Sequence, residues 1–157
     1  MIMDQQAILQ QWQDYFVQGG SVRQLRNIPK SELAKLYAQG YHYFQQQQYN
    51  AARNFFYLLT TIDQWCFDYQ LALGLCYQRL GEYYPAANCF SQAALLRLDD
   101  PRPPYFCGLC YQQLGEDEQA KKAFQSALKW CVAHPEMPEI RQAAQRALAA
   151  LTLRRQP

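Results

Sequence analysis

Five columns of residues recur at an interval of 34 along the middle of this chain. Gly40, Gly74 and Gly108 form one column, and Tyr43, Tyr77 and Tyr111 a second. Ala52, Ala86 and Ala120 follow, then Phe56, Phe90 and Phe124, then Leu59, Ala93 and Ala127. A unit of this size cannot bury its apolar face alone, so copies must stack on one another and share a continuous core. The pattern therefore calls for an all-α chain of three tandem helical hairpins, at 33–66, 67–100 and 101–134, whose helices fill 33–132.

Gly followed by Tyr three residues on, then Ala followed by Phe four residues on, is the tetratricopeptide-repeat signature. Gly and Ala stand where two helices approach closely, and Tyr and Phe fill the neighbouring gaps. Leu80-Gly81-Glu82 and Leu114-Gly115-Glu116 read as turns, with glycine just past a helix end where a positive φ costs little. The first repeat has Gln46-Gln47-Gln48 at that place. Helices are expected near 33–46, 49–62, 67–80, 83–97, 104–114 and 117–131, the fifth entered through Pro101, Pro103 and Pro104. An N-terminal helix near 4–18, with Ile8, Leu9, Trp12, Tyr15 and Phe16 on its apolar face, closes at Gly19-Gly20 and leads to a short turn near 21–26. Pro138 opens a last helix to about Leu153. Repeat stacks need their ends covered, so both flanking helices are expected to cap; the N-terminal helical region spans 4–30 and the C-terminal capping helix 137–154. The 157 residues read as one domain.

Composition narrows the function. Half the residues are hydrophobic and 15% are aromatic, too many for a disordered chain. The net charge is +2 without a basic run, and Arg154-Arg155 reads as a solvated tail, so a nucleic-acid partner is not expected. The N-terminus has no charged-then-apolar leader pattern and no run of about 18 apolar residues occurs, so a cytoplasmic chain that does not touch membrane is expected. In that compartment all six cysteines are expected as thiols.

Relative to the repeat glycine, offsets −4, −1, 0 and +3 are expected to face the second helix of the hairpin; in repeat one these are Leu36, Gln39, Gly40 and Tyr43. Offsets −6, −3, +1 and +4 make a second stripe on each first helix, and first helices line the concave side of such stacks. The stripe reads Ala34, Tyr37, Tyr41 and Phe44, then Asp68, Leu71, Leu75 and Gln78, then Arg102, Tyr105, Leu109 and Gln112. Apolar and aromatic groups with polar edges suit an extended peptide carrying hydrophobic anchors. The bland alternative is that these side chains pack on each other or under the last helix. The Lys, Arg and Asn cradle of co-chaperones that clamp a terminal carboxylate is not at the inner positions, which are Tyr37, Tyr41, Leu71, Leu75, Tyr105 and Leu109.

Cys107 and Cys110 form a C-x-x-C, but no second pair and no nearby histidine accompany them, and the motif lies inside a helical repeat rather than after a strand. Packing is the expected role, with Cys107 against the partner helix of its hairpin, Cys110 between neighbouring helices like Cys76, and no metal or other cofactor; a thiol redox or zinc protein is the alternative. Cys66, Cys89 and Cys131 stand alone. Catalytic motifs are missing, and Asp99-Asp100 and Glu116-Asp117-Glu118 read as helix-end charges, so no enzyme is expected. A further alternative is a general scaffold that joins proteins through its convex face, using residues such as Lys121 and Lys122.

In order and spacing, several segments together resemble the class II chaperones of bacterial type III secretion systems. These are the helix ending in Phe16 to Ser21, then Leu36-Tyr37, then Tyr49, Ala52, Phe55 and Phe56, then Leu73-Gly74 and Cys76, and the Pro101 to Pro103 entry to repeat three. The resemblance implies a non-enzymatic chaperone of the bacterial cytosol that holds an N-terminal segment of a hydrophobic translocator in its groove. It also implies that Tyr37, Tyr41, Phe44 and Tyr49 are groove aromatics, that the chain dimerises through residues 4–30, and that a transcription activator is a further partner in some members.

Overall fold

A computed structural model describes residues 5–154, apart from the side chains of Gln5, Leu9 and Leu25. Every regular element among them is an α-helix: α1 (Gln5–Val17), α2 (Val22–Arg26), α3 (Lys30–Gln45), α4 (Tyr49–Ile62), α5 (Phe67–Arg79), α6 (Tyr83–Leu96), α7 (Arg102–Gln113), α8 (Asp117–Cys131) and α9 (Pro138–Leu153). From α3 onward each helix packs against the next, making three hairpins and a final helix. α7 begins two residues earlier than its sequence suggests. Pro103 and Pro104 enter its first turn, where a missing N–H costs nothing and the fixed φ already suits a helix.

The repeating columns become the core. Phe56, Phe90 and Phe124 are each almost fully buried and each lies against a repeat glycine. A Cβ on Gly74 would stand 2.6 Å from the Phe90 ring, and one on Gly108 2.5 Å from Phe124. In repeat one the fit is looser, 3.0 Å from Gly40 to Phe56. Ala52, Ala86 and Ala120 are fully buried beside these rings.

The −1 column behaves differently from its expectation. Leu73 belongs to a cluster with Ala52 and Leu59 of α4, the preceding repeat. The Cys107 thiol donates to the Ala87 carbonyl of α6 at 3.6 Å and lies 3.8 Å from the Ser91 hydroxyl, so it is bonded to the preceding hairpin while also lining the hollow between α6 and α8. Gln39, in the same column of repeat one, is exposed because no hairpin precedes it. Both flanking helices are expected to cover the ends; α9 does so at the far end, while the near end is met by α2 on α4 and by Ile28 rather than by α1. α9 shares a cluster with α8 through Ala144, Leu151, Phe124 and Ala127. α1 packs along no repeat helix. It is tied back near its end, where the Tyr15 hydroxyl donates to the Ser21 carbonyl (2.9 Å) and the Trp65 indole donates to the Gly20 carbonyl (3.1 Å).

The three hairpin turns share one hydrogen-bond pattern. The N–H groups of Gln48, Glu82 and Glu116 each reach a tyrosine carbonyl five residues back, those of Tyr43, Tyr77 and Tyr111, at 2.9 Å. Gly81 and Gly115 supply the positive φ, +77° and +74°. Gln47 takes the equivalent place at +60° although it is not glycine. A left-handed conformation costs a residue with a Cβ about 1–2 kcal/mol, so Gln47→Gly should raise unfolding free energy by about 1 kcal/mol and Gly81→Gln should lower it by a similar amount. Urea titrations followed by helical circular dichroism measure both; a destabilised Gln47→Gly would contradict this account of the turn.

Candidate functional site

α3, α5 and α7 lie side by side and present the second stripe to a concave trough. Its middle is a cavity of about 110 Å³. From α3 come Tyr37, Tyr41 and Phe44, from α5 Asp68, Leu71 and Leu75, and from α7 Arg102. Two larger hollows continue it. One, of about 570 Å³, shares Phe44 and Leu75 and adds Gln78, Tyr105 and Leu109. The other, of about 360 Å³ at the N-terminal end, shares Tyr37 and Asp68 and takes in Ala34.

Ten of the twelve residues expected in the groove thus line one of these hollows. Tyr49 is not among them: its ring stands edge-on behind Phe44, centroids 5.2 Å apart, and props it from α4. Gln112 is half-buried outside them. Leu71 is 8% exposed and belongs to the core cluster, so it forms the floor. Tyr37 is held between the rings of Phe56 (5.4 Å) and Tyr69 (5.9 Å). Tyr41 is 51% exposed and stands free at the rim. Tyr105 and Leu109 do pack against the cluster of α8 and α9, the bland alternative, while still lining the trough.

Other lining groups were not expected. Arg79, Tyr83, Phe106 and Gln113 join the far hollow, and Arg23, Lys30, Cys66 and Tyr69 the near one. Tyr83 was within reach, since it stands 34 residues after Tyr49. Arg23 was not, because α2 lies outside the periodic region and no column records its position.

The trough carries a small charged network. The buried Asp100 carboxylate accepts from the backbone N–H and Nε of Arg102, both at 3.0 Å, and from Nη2 at 2.7 Å. Burial alone would raise the Asp100 carboxyl, but the bonds from Arg102 outweigh it and hold it below its ordinary value. The Arg97 guanidinium lies 3.9 Å over the Phe67 ring and 3.6 Å from Asp100.

The α1 residues form a separate apolar patch. Trp12 stacks on Phe16 at 6.2 Å, with Trp12 42% exposed. Ile8 is half-buried, and Tyr15 turns back on the Gly20 turn instead of outward. The Leu9 side chain lies outside the described residues.

Burial raises all six thiols above their ordinary value. All six cysteines are free. Burial pushes Cys76, Cys89 and Cys110 up to about 12 and Cys107 to about 11, so none is a thiolate near neutrality. Among the described residues no group of three His, Cys, Asp or Glu could hold a metal ion, and no helix is long and apolar enough to cross a membrane.

Fold and trough together define a tetratricopeptide-repeat protein, and the tetratricopeptide repeat family matches residues 67–100 and 105–131. The structure is similar to the crystal structure of PcrH in complex with the chaperone binding region of PopD, with a TM-score of 0.80 and 32% identity over 82% of this chain and 97% of that one. It is also similar to the Yersinia enterocolitica type III secretion chaperone SycD in complex with a peptide of the translocator YopD, with a TM-score of 0.77 and 27% identity over 80% of this chain and 96% of that one. The low calcium response locus protein H of Yersinia pestis is 30% identical over 87 residues, which is 55% of this chain. The matched part spans about half, 52%, of that relative's length. The chain belongs to the translocator chaperone family of type III secretion.

The buried thiols make a pH prediction. Their folded values lie above the ordinary 9.0, so the stability they contribute is complete below pH 9.0 and is lost as pH rises from there towards 12. Iodoacetamide should leave Cys76, Cys89, Cys107 and Cys110 unlabelled in the folded protein at neutral pH and label them once urea unfolds it. Fast labelling of folded Cys107 would restore a redox role.

Proposed function

We propose that this chain is a bacterial cytoplasmic chaperone, not an enzyme, that holds an extended N-terminal segment of a hydrophobic type III secretion translocator in the concave trough. The observation that carries this reading is the continuous row of hollows from Ala34 to Leu109, lined by aromatic and aliphatic side chains on three adjacent helices. Two relatives of the same fold have been solved with translocator segments. Burying apolar anchors gains about 25 cal/mol per Å². Ordering a flexible segment offsets much of that gain, which leaves affinity moderate and release feasible. Covering the translocator keeps it from aggregating or inserting before secretion.

The preformed floor of Leu71 and Tyr37 supplies shape, and the exposed Tyr41 and half-buried Leu75 supply contact area. Tyr41→Ala with Leu75→Ala should leave helicity unchanged. The double variant should cut retention of a co-expressed translocator at least tenfold, since each buried anchor contributes about 1–2 kcal/mol. Full retention would remove the trough from the function and favour the convex face. There a hollow of about 460 Å³ between α6 and α8, lined by Leu95, Lys122 and Trp130, would serve a scaffold.

The α1 patch fits a second copy of the chain, through Ile8, Trp12 and Phe16. Phe16→Glu should shift sedimentation from dimer to monomer without loss of helicity; an unchanged dimer would place the interface elsewhere. The partnership with a transcription activator that the family resemblance implies belongs to the same proposal.

A further inference from the structure

The middle of the trough contains two charged side chains that hydrophobic anchoring does not explain. Asp68 and Arg102 stand at the same place in successive repeats, six residues before Gly74 and Gly108. Both line the cavity of about 110 Å³ between Tyr37, Tyr41 and Leu75, yet they do not meet as an ion pair. The Asp68 carboxylate is exposed and accepts no hydrogen bond from the described residues. Arg102 is a third exposed, and its bonds to Asp100 use Nε, Nη2 and the backbone N–H. Nη1 has no partner among the described residues. Asp100, 3% exposed and also 3.6 Å from Arg97, holds the guanidinium in place. The trough therefore offers one free acceptor and one fixed free donor within a single small cavity.

A peptide laid in this trough poses a problem that its side chains cannot solve. The walls are helices whose own N–H and C=O groups are paired internally, so there is no strand edge to receive the peptide's main chain. Each main-chain polar group covered without a partner costs about 1–3 kcal/mol. A charged client side chain is a poor match, because Asp68 and Asp100 are balanced by Arg97 and Arg102 and the cavity carries no net charge. A peptide unit is the neutral group that presents one donor and one acceptor together.

We propose that Asp68 and Arg102 read the client's main chain, the Asp68 carboxylate accepting a peptide N–H and Arg102 Nη1 donating to a peptide C=O, so that the segment is held extended and in fixed register whatever residue occupies that position. The proposal rests on the reading of the trough as a translocator-binding groove. It adds a selection for backbone geometry to the selection for apolar anchors, and it excludes proline at the position whose N–H is taken.

The test uses the full chain and the chaperone binding region of PopD as a fluorescent peptide, N-methylated at one position at a time. Each methyl group removes one N–H. Against the unmodified chain, one interior position should lose about tenfold in affinity on methylation. Asp68→Ala should bind the unmethylated peptide more weakly by a similar factor and be indifferent to methylation at that position. Asp68→Asn, which keeps an acceptor oxygen, should retain the wild-type pattern. Binding should change little with salt. A methylation profile that is the same in Asp68→Ala as in the unmodified chain overturns the proposal. So does affinity that falls steeply with salt and follows one acidic or basic residue of the peptide. If Tyr41→Ala with Leu75→Ala abolishes binding while every Asp68 variant binds normally, the groove reading stands and this inference alone fails. If the unmodified chain does not bind the peptide, both fall.

Discussion

The contact between a repeat glycine and a phenylalanine ring on the paired helix sets the spacing of the whole structure. Gly74 and Gly108 leave no room for even one carbon against Phe90 and Phe124. The first and second helices of a hairpin meet at that point, and the ring fills the space between them. A close helix pair has its outer surfaces fixed in direction as well. The stripe one step round from the glycine then points away from the hairpin, into the space shared with the neighbouring first helices. The trough is a consequence of the contact behind it, and its lining can vary without moving its walls.

Stacking adds a direction to the molecule. Each hairpin buries its −1 column on the hairpin before it, as Leu73 does on α4 and Cys107 on α6. The thiol pair that first suggests redox chemistry is explained by this geometry. Small apolar groups are needed where a helix of one repeat slides into the notch of another, and buried thiols meet that need while staying protonated. The far end of the stack is closed by α9. At the near end Gln39 and His42 stay in solvent, and α1 extends from the glycine turn with Trp12 uncovered. Stacking is asymmetric because the first hairpin meets the short α2 and Ile28, whereas the last meets the full length of α9.

What was legible in the sequence follows from which features repeat. The six repeat helices and the stripe that faces the trough are fixed by periodicity alone, because the same residue type must solve the same packing problem three times. Three features fall outside that logic. Cys107 bonds to α6 besides facing α8, since a column states that a residue is buried without saying by which helices. Tyr49 stands behind Phe44 while Tyr83, in the same column one repeat on, lines the far hollow, so a column does not fix how far a side chain on the second helix reaches. Arg23 and Lys30 come from the non-repeating entry segment, so no copy elsewhere in the chain marks their place. Gln47 shows the reverse: the glycine is missing, yet the hydrogen bonds of the turn are kept, and the backbone strain falls on one residue.

Function in such a trough depends on the difference in order between protein and client. The walls are preformed, with Tyr37 fixed between two rings and Arg102 fixed by a buried carboxylate. Almost all the conformational cost of binding then falls on the client segment. A floor of fixed shape selects the spacing of apolar anchors, and fixed polar groups select a main chain that is extended. Neither depends on a long match of side chains. A trough built this way can hold segments of different sequence that share spacing, and it can let go when the client gains a better environment for its apolar residues, since no single contact dominates the hold.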